Sequence, residues 1–260
     1  IAAFGKVTGM AMPLVFFPSA FLMSLSTSIV PAVAQAVAAG KTERLVPTLR
    51  KAFLFTILLG AGAASVCAAL AKELGLVIYN QDISGMLSLL AFICPLWYVN
   101  ITQNGVLNGL GAMGFIFRNN LLSSAVTIAA VVLAVPYLGI TGFILGWFLG
   151  ILLQVILGFI RIRKEIDLKL PIAEWLIKPG LAAAAAGTLT KLLATRFIMG
   201  FAGNTLGLII ALVILLAMYT GFILMQGVVT PDEISRATRR ILKRGGASES
   251  ETRNERTELR

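Results

Sequence analysis

The chain has 260 residues, 58% of them hydrophobic, with a mean hydropathy of +0.89, and its apolar residues fall in runs long enough to span a bilayer; this is an integral membrane protein. It contains no histidine, which excludes imidazole general bases, Ser/His/Asp and Cys/His nucleophilic pairs and the usual zinc sites. A net charge of +10 would point to nucleic acid in a soluble protein, but the basic residues lie between and after the apolar runs without interleaved aromatics, so no nucleic-acid partner is expected.

In chain order, seven spans are expected in an all-α, polytopic transmembrane bundle. The first covers Phe4 to Ala39 and runs without a charge from Val7 to Gly40. At about 1.5 Å per residue a straight helix of that length overshoots a hydrocarbon core of about 30 Å. Pro13, Pro18, Pro31 and the Ser24, Ser26, Thr27, Ser28 cluster therefore predict a bent helix that lines a pathway, because broken backbone survives in lipid only against other helices or a watery cavity. The second span is Ala52 to Ala71. A short connection, Glu73 to Gly85, leads to the third, Met86 to Gly109, which ends in the glycine-rich turn LNGLGAMG. Asn119 to Leu138 and Ile140 to Ile160 are the fourth and fifth, joined by PYLG. The sixth and seventh, Leu176 to Ile198 and Asn204 to Gly227, follow the basic segment RIRKEIDLKLPIAEWLIK.

Eighteen of the 22 lysines and arginines fall on one side of this topology, and only Lys6, Lys72, Lys191 and Arg196 on the other. The first side is then cytoplasmic, with the C-terminus. Residue 1 falls outside, which implies further spans upstream. After Gly227, TPDEISRATRRILKR reads as a basic juxtamembrane helix that meets anionic lipid, and the polar stretch beyond Gly245 reads as disordered.

Polar side chains deep in a membrane are the best functional signal available. Asn100, Gln103, Asn104 and Asn108 stand at offsets that put them on one face of the third span. That face either lines an aqueous cavity for a polar substrate or joins helices by amide contacts. Lys6 and Thr8 enter the first span from the outer side, where a cation could meet a phosphate; snorkelling to the interface is the plainer role for Lys6. Gly142, Gly146 and Gly150 form a helix-packing GxxxGxxxG, and Cys67 and Cys94 read as buried thiols. All twelve acids lie in loops, at span ends or in the tail, so no midplane carboxylate is available for ion coupling. No catalytic residue, metal site or cofactor is expected.

The stretch TGMAMPLVFFPSAFLMSLSTSIVPAVAQAVAAGKTERL, the span ending in LNGLGAMG, and NN..S...I.....PYLGITGFILG together resemble the C-terminal half of the polysaccharide transport and stage V sporulation protein B branch of the multidrug/oligosaccharidyl-lipid/polysaccharide exporter superfamily, which includes lipid II flippases. The resemblance covers about Phe4 to Gly227 and implies helices 8 to 14 of a fourteen-helix MATE-like transporter in the bacterial inner membrane. Residues 1–163 would be the C-terminal transport lobe, 174–227 two additional helices and 228–260 the cytoplasmic tail. It implies a flippase for a lipid-linked oligosaccharide or peptidoglycan precursor on a polyprenyl pyrophosphate, working by alternating access with a missing N-terminal half. The substrate cavity would draw on Lys6, Thr8, Asn100, Gln103, Asn104 and Asn108. Lipid II flippases carry an arginine about five residues before the proline matching Pro13, where this chain has Thr8, as the sporulation branch does. The rival readings are a cation-coupled multidrug antiporter of the same superfamily, which needs a midplane acid, a membrane glycosyltransferase, which needs catalytic residues in a large outer loop, and a scaffold for envelope enzymes.

Overall fold

The structure is a computed structural model and describes residues 2–166, 172–193 and 203–226. Two compact units divide the chain, residues 1–219 and 220–260, and of the second only 220–226 are described. Among the described residues every regular element is a helix, the form that satisfies each backbone group within its own segment when no water is present.

The first expected span is broken rather than merely bent. Helix α1 (Ala2–Lys6) passes into a π-helical stretch, Val7–Ala11, and then into α2 (Met12–Phe16). The π stretch lies just before Pro13, which has no N–H to give the carbonyl four residues back. Pro18 repeats the problem one and a half turns later, and there the chain turns at Phe17 and Pro18 before α3 (Ser19–Ala38) begins. Pro31 lies inside α3 on an exposed face and leaves the helix unbroken. Gly40, at φ +64°, closes α3, with the Lys41 N–H bonded to the Ala36 carbonyl at 2.9 Å.

A short 3-10 turn, Thr42–Leu45, leads into α4 (Val46–Ala69), and α5 (Ala71–Tyr79) follows and is closed by Asn80 in the left-handed region. The third expected span is two helices, α6 (Ser84–Ala91) and α7 (Ile93–Gly109), bent by 45° at Phe92. Pro95, in the first turn of α7, cannot donate to the Ala91 carbonyl, which locates the break. Helix α8 (Met113–Leu138) starts earlier and α9 (Ile140–Glu165) ends later than the apolar runs indicate, and only Gly139 separates them. Last come α10 (Ile172–Leu193) and α11 (Gly203–Met225).

Five helical stretches among the described residues are long and apolar enough to cross a bilayer, residues 19–38, 42–69, 113–138, 140–165 and 205–225, and a sixth when the bent α6–α7 pair counts as one span. Helix α10, where the sixth of the seven spans was expected, carries Glu174, Lys178 and Lys191 and is not one of them. The rest of that expected span, like the basic and disordered tail expected after residue 227, lies outside the described residues.

Helix α7 is the axis of the packing in the first unit. Against α3 it presents Gly105 and Gly109, where an added Cβ would come within 2.7 Å of the Ser26 carbonyl oxygen and 2.8 Å of the Val30 carbonyl oxygen; the Ser26 hydroxyl donates to the Ile101 carbonyl at 2.9 Å. Against α4 the Thr56 and Thr102 hydroxyls share a hydrogen bond of 2.7 Å, and Gly60 accepts the Pro95 ring at a distance no Cβ would allow. Cys67 and Cys94 are free, buried thiols on these two helices, as their apolar settings predict. The GxxxGxxxG of α9 packs on α8: Cβ atoms on Gly142 and Gly146 would fall 2.6 Å from the Ala134 backbone and the Val131 side chain. Helix α10 docks on α4 through a 2.7 Å bond from the Ser65 hydroxyl to the Ala183 carbonyl.

Candidate functional site

The four amides of α7 divide between two tasks. Gln103, 1% exposed, donates from Nε2 to the Val155 carbonyl of α9 at 3.0 Å, and a Cβ on Gly158 would lie 2.5 Å from its amide carbon. It joins helices. Asn100 is buried, and its Oδ1 accepts from Asn104 Nδ2 at 3.0 Å; Asn104 and Asn108 are half-buried one and two turns further along the same face. Thr8 is exposed in the π-helical stretch and donates to the Phe4 carbonyl at 3.0 Å. Lys6 is half-buried at the end of α1. Its charge reaches Asp82, in the α5–α6 connection: the Ser84 side chain and then its backbone N–H, bonded at 2.9 Å, hold the Asp82 carboxyl below the usual carboxylate range, with small additions from Lys72 and Lys6. Among the described residues no hydrogen bond joins Lys6 or Thr8 to the α7 amides.

Helix α3 has two contrasting faces. Leu22, Ile29 and Val33 are buried, with Ser26 between them bonded to α7. On the other side Ser24, Thr27, Ser28 and Gln35 are exposed, alongside apolar residues such as Phe21 and Met23. Thr27 and Ser28 donate to the Met23 and Leu25 carbonyls at 2.8 and 2.7 Å, which satisfies their protons and leaves their oxygen lone pairs available to a ligand or to water.

Two cavities complete the picture. An apolar one of about 450 Å³ lies between α4, α10 and the α6–α7 bend, lined by Ile57, Ala61, Phe92 and Ala184 with Lys191 at its edge. The other, about 380 Å³, lies between α7, α8 and α9 and is polar for a site among apolar helices: Trp97, Asn120, Ser123, Ser124, Thr127, Trp147 and Gln154 line it with Ile128 and Ile151. The indoles of Trp97 and Trp147 pack at 5.8 Å between centroids, backed by Phe16 at 5.1 and 6.0 Å. Asn119 Nδ2 donates to the Gln154 carbonyl at 3.0 Å, Gln154 Nε2 donates to Asn120 Oδ1, and the Ser123 hydroxyl donates to the Gly150 carbonyl at 2.6 Å. Trp97 Nε1 and Asn119 Oδ1 are buried without a hydrogen-bond partner among the described residues. Reading the sequence for charges and for the amides of one span misses this site. The available signal was the run Asn119, Asn120, Ser123, Ser124, Thr127, which repeats at helical spacing, together with Gln154 alone in a charge-free stretch of α9.

Several bilayer-length apolar helices, a span broken at prolines and buried amides define a class first: a multi-pass helical membrane protein, whose residues 7–133 match the MatE family. The matched stretch takes in α3, α4 and α7. Within that class the chain resembles the stage V sporulation protein B branch of the exporter superfamily, as its motifs indicate: it is 29% identical over 177 residues to stage V sporulation protein B of Bacillus subtilis (strain 168), a match covering 66% of this chain and 34% of that relative. The chain thus spans about a third of the relative's length. No solved structure matches.

Proposed function

We propose that the chain is the C-terminal part of a flippase that moves a lipid-linked oligosaccharide or peptidoglycan precursor across the bacterial cytoplasmic membrane by alternating access. The exposed hydroxyl and amide face of α3 carries this reading. Polar groups facing lipid are costly, so a span that turns Ser24, Thr27, Ser28 and Gln35 away from its own bundle is built to face an aqueous pathway. In this reading the seven expected spans correspond to helices 8 to 14 of a fourteen-helix transporter, residues 1–163 form one lobe and 174–227 two added helices, and the C-terminus is cytoplasmic. Lys6 and Thr8 meet the pyrophosphate at the outer end, Asn104 and Asn108 take sugar hydroxyls, and a further lobe completes the cavity. The basic tail adheres to anionic lipid.

Cysteine accessibility tests the pathway. In a Cys67→Ala, Cys94→Ala background of the full-length protein in membranes, Ser24→Cys, Ser28→Cys and Gln35→Cys are expected to react with a membrane-impermeant maleimide, while Leu22→Cys and Val33→Cys stay unlabelled. Equal silence at all five positions would place the α3 polar face against protein or lipid and remove the reading.

A further inference from the structure

We infer that the groove between α4, α10 and the α6–α7 bend holds one acyl chain of an anionic glycerophospholipid of the bilayer, with the lipid's phosphate at Lys191. The groove shares no residue with the polar face of α3, and the inference stands whether or not the chain moves a sugar. Along α4 the lining runs from Ile57 to Ala68, eleven residues, or about 16 Å at about 1.5 Å per residue. That is half of a hydrocarbon core of about 30 Å, the depth of one leaflet. Helix α10 runs beside α4 in the same direction: the Ser65 hydroxyl meets the Ala183 carbonyl at 2.7 Å, and one turn further a Cβ on Gly187 would lie 3.5 Å from the Ala69 Cβ. Ala69 ends α4, so Lys191, a turn beyond Gly187, stands where the bilayer-length stretch 42–69 stops and a charge meets head groups.

Small residues make the room. Ala61, Ala64 and Ala68 line the groove from α4 and Gly180, Ala184 and Gly187 from α10; Gly180, Ala184 and the Phe92 ring are exposed, so it opens sideways. Its volume of about 450 Å³ is too small for another helix, since a helix of that length and about 10 Å across needs roughly 1,250 Å³. A single hydrocarbon chain is slender enough. Left empty, the walls forfeit the dispersion contacts that such a chain supplies. Water finds little to bind, because the Ser65 and Thr188 protons already go to the Ala183 and Ala184 carbonyls at 2.7 and 2.8 Å. A chain that leaves bulk lipid for the groove gains no hydrophobic free energy, so the head group sets the preference. Among the described residues that line the groove, Lys191 alone is charged; it is exposed and carries three N–H donors, which a phosphate accepts.

The test is native mass spectrometry of the full-length protein, released from mild detergent after incubation with equal amounts of dioleoylphosphatidylglycerol and dioleoylphosphatidylcholine. The wild type is expected to retain phosphatidylglycerol in preference to phosphatidylcholine. Lys191→Gln is expected to lower that preference roughly fivefold, the effect of one lysine beside an anionic head group, and Lys191→Arg to keep it. Ala184→Leu, on the exposed side of α10, puts its side chain into the groove and is expected to remove one retained lipid of either kind. The basic tail is the same in every variant, so lipid held by the tail cancels in these comparisons. The Lys191 pair changes only an exposed end of a side chain and decides the matter if Ala184→Leu fails to fold. Equal retention by the wild type, Lys191→Gln and folded Ala184→Leu would assign the bound lipid to the tail or the outer surface and overturn the inference. Absence of retained phospholipid, or equal retention of the two head groups by the wild type, would overturn it as well. Displacement of phosphatidylglycerol by an equal amount of a polyprenyl phosphate would give the groove to an isoprenoid chain, with the same result. None of these outcomes alters leaflet translocation of a sugar, which is measured separately.

Discussion

At the scale of single residues, the amides of α7 show how far spacing carries and where it stops. Offsets of three, four and eight place Asn100, Gln103, Asn104 and Asn108 on one helical face, and helical geometry alone is enough for that. What each amide meets depends on the helix opposite, and Gly158 is the reason Gln103 reaches the α9 backbone at Val155 while Asn104 bonds within its own helix. Spacing does not encode that choice. Gly158→Ala is expected to destabilise the protein by about 1–3 kcal/mol, because the added methyl must displace a buried, hydrogen-bonded amide. Gln103→Ala in the same chain should recover part of that loss, since it removes the group the methyl strikes. Thermal melting of the two single variants and the double variant measures the coupling, and strictly additive losses would contradict the contact. The polar cavity was legible in part as well: the Asn and Ser run of α8 lies in the sequence, but the indoles that close the site come from α7 and α9, far away along the chain.

At the scale of elements, helix positions were legible because apolar runs between charges mark where a span can lie, and α4, α8, α9 and α11 overlap those runs. The breaks were less so. Prolines flag where a carbonyl loses its donor, yet Pro31 sits inside an unbroken α3 while Pro18 and Pro95 stand at breaks. The difference lies in the surroundings, which no local pattern contains: Pro31 is exposed, whereas the α6–α7 bend lets Pro95 lie against Gly60 of α4. The one-residue link between α8 and α9 is a case where local chemistry is decisive. Gly139 adopts φ +57° and ψ −129°, a region that side chains disfavour, and it turns two long helices back on each other. Gly139→Ala is therefore expected to cost about 1–3 kcal/mol and to lower the melting temperature, although open space surrounds the position. An unchanged melting curve would mean that the hairpin tolerates another turn.

At the scale of the whole molecule, length, composition and charge established a multi-pass helical membrane protein before any contact was known. The proposed orientation, with the C-terminus in the cytoplasm, rests on the distribution of lysine and arginine. Bilayer-length helices follow from hydropathy; a polar face turned away from the bundle, as in α3, emerges only when the helices are packed and the remaining surface is counted. That face and the half-buried amides Asn104 and Asn108 are the features on which the proposed transport reading rests. The decisive measurement is leaflet translocation of a fluorescent polyprenyl-pyrophosphate sugar by the full-length protein in liposomes, with the Asn104→Leu, Asn108→Leu double variant as its control. Protein-dependent transfer of the label to the opposite leaflet is predicted, slowed roughly tenfold in the variant by the loss of hydrogen bonds to the sugar, with membrane insertion retained. Transfer no faster than in protein-free liposomes, or an equal rate in the double variant, would contradict the account.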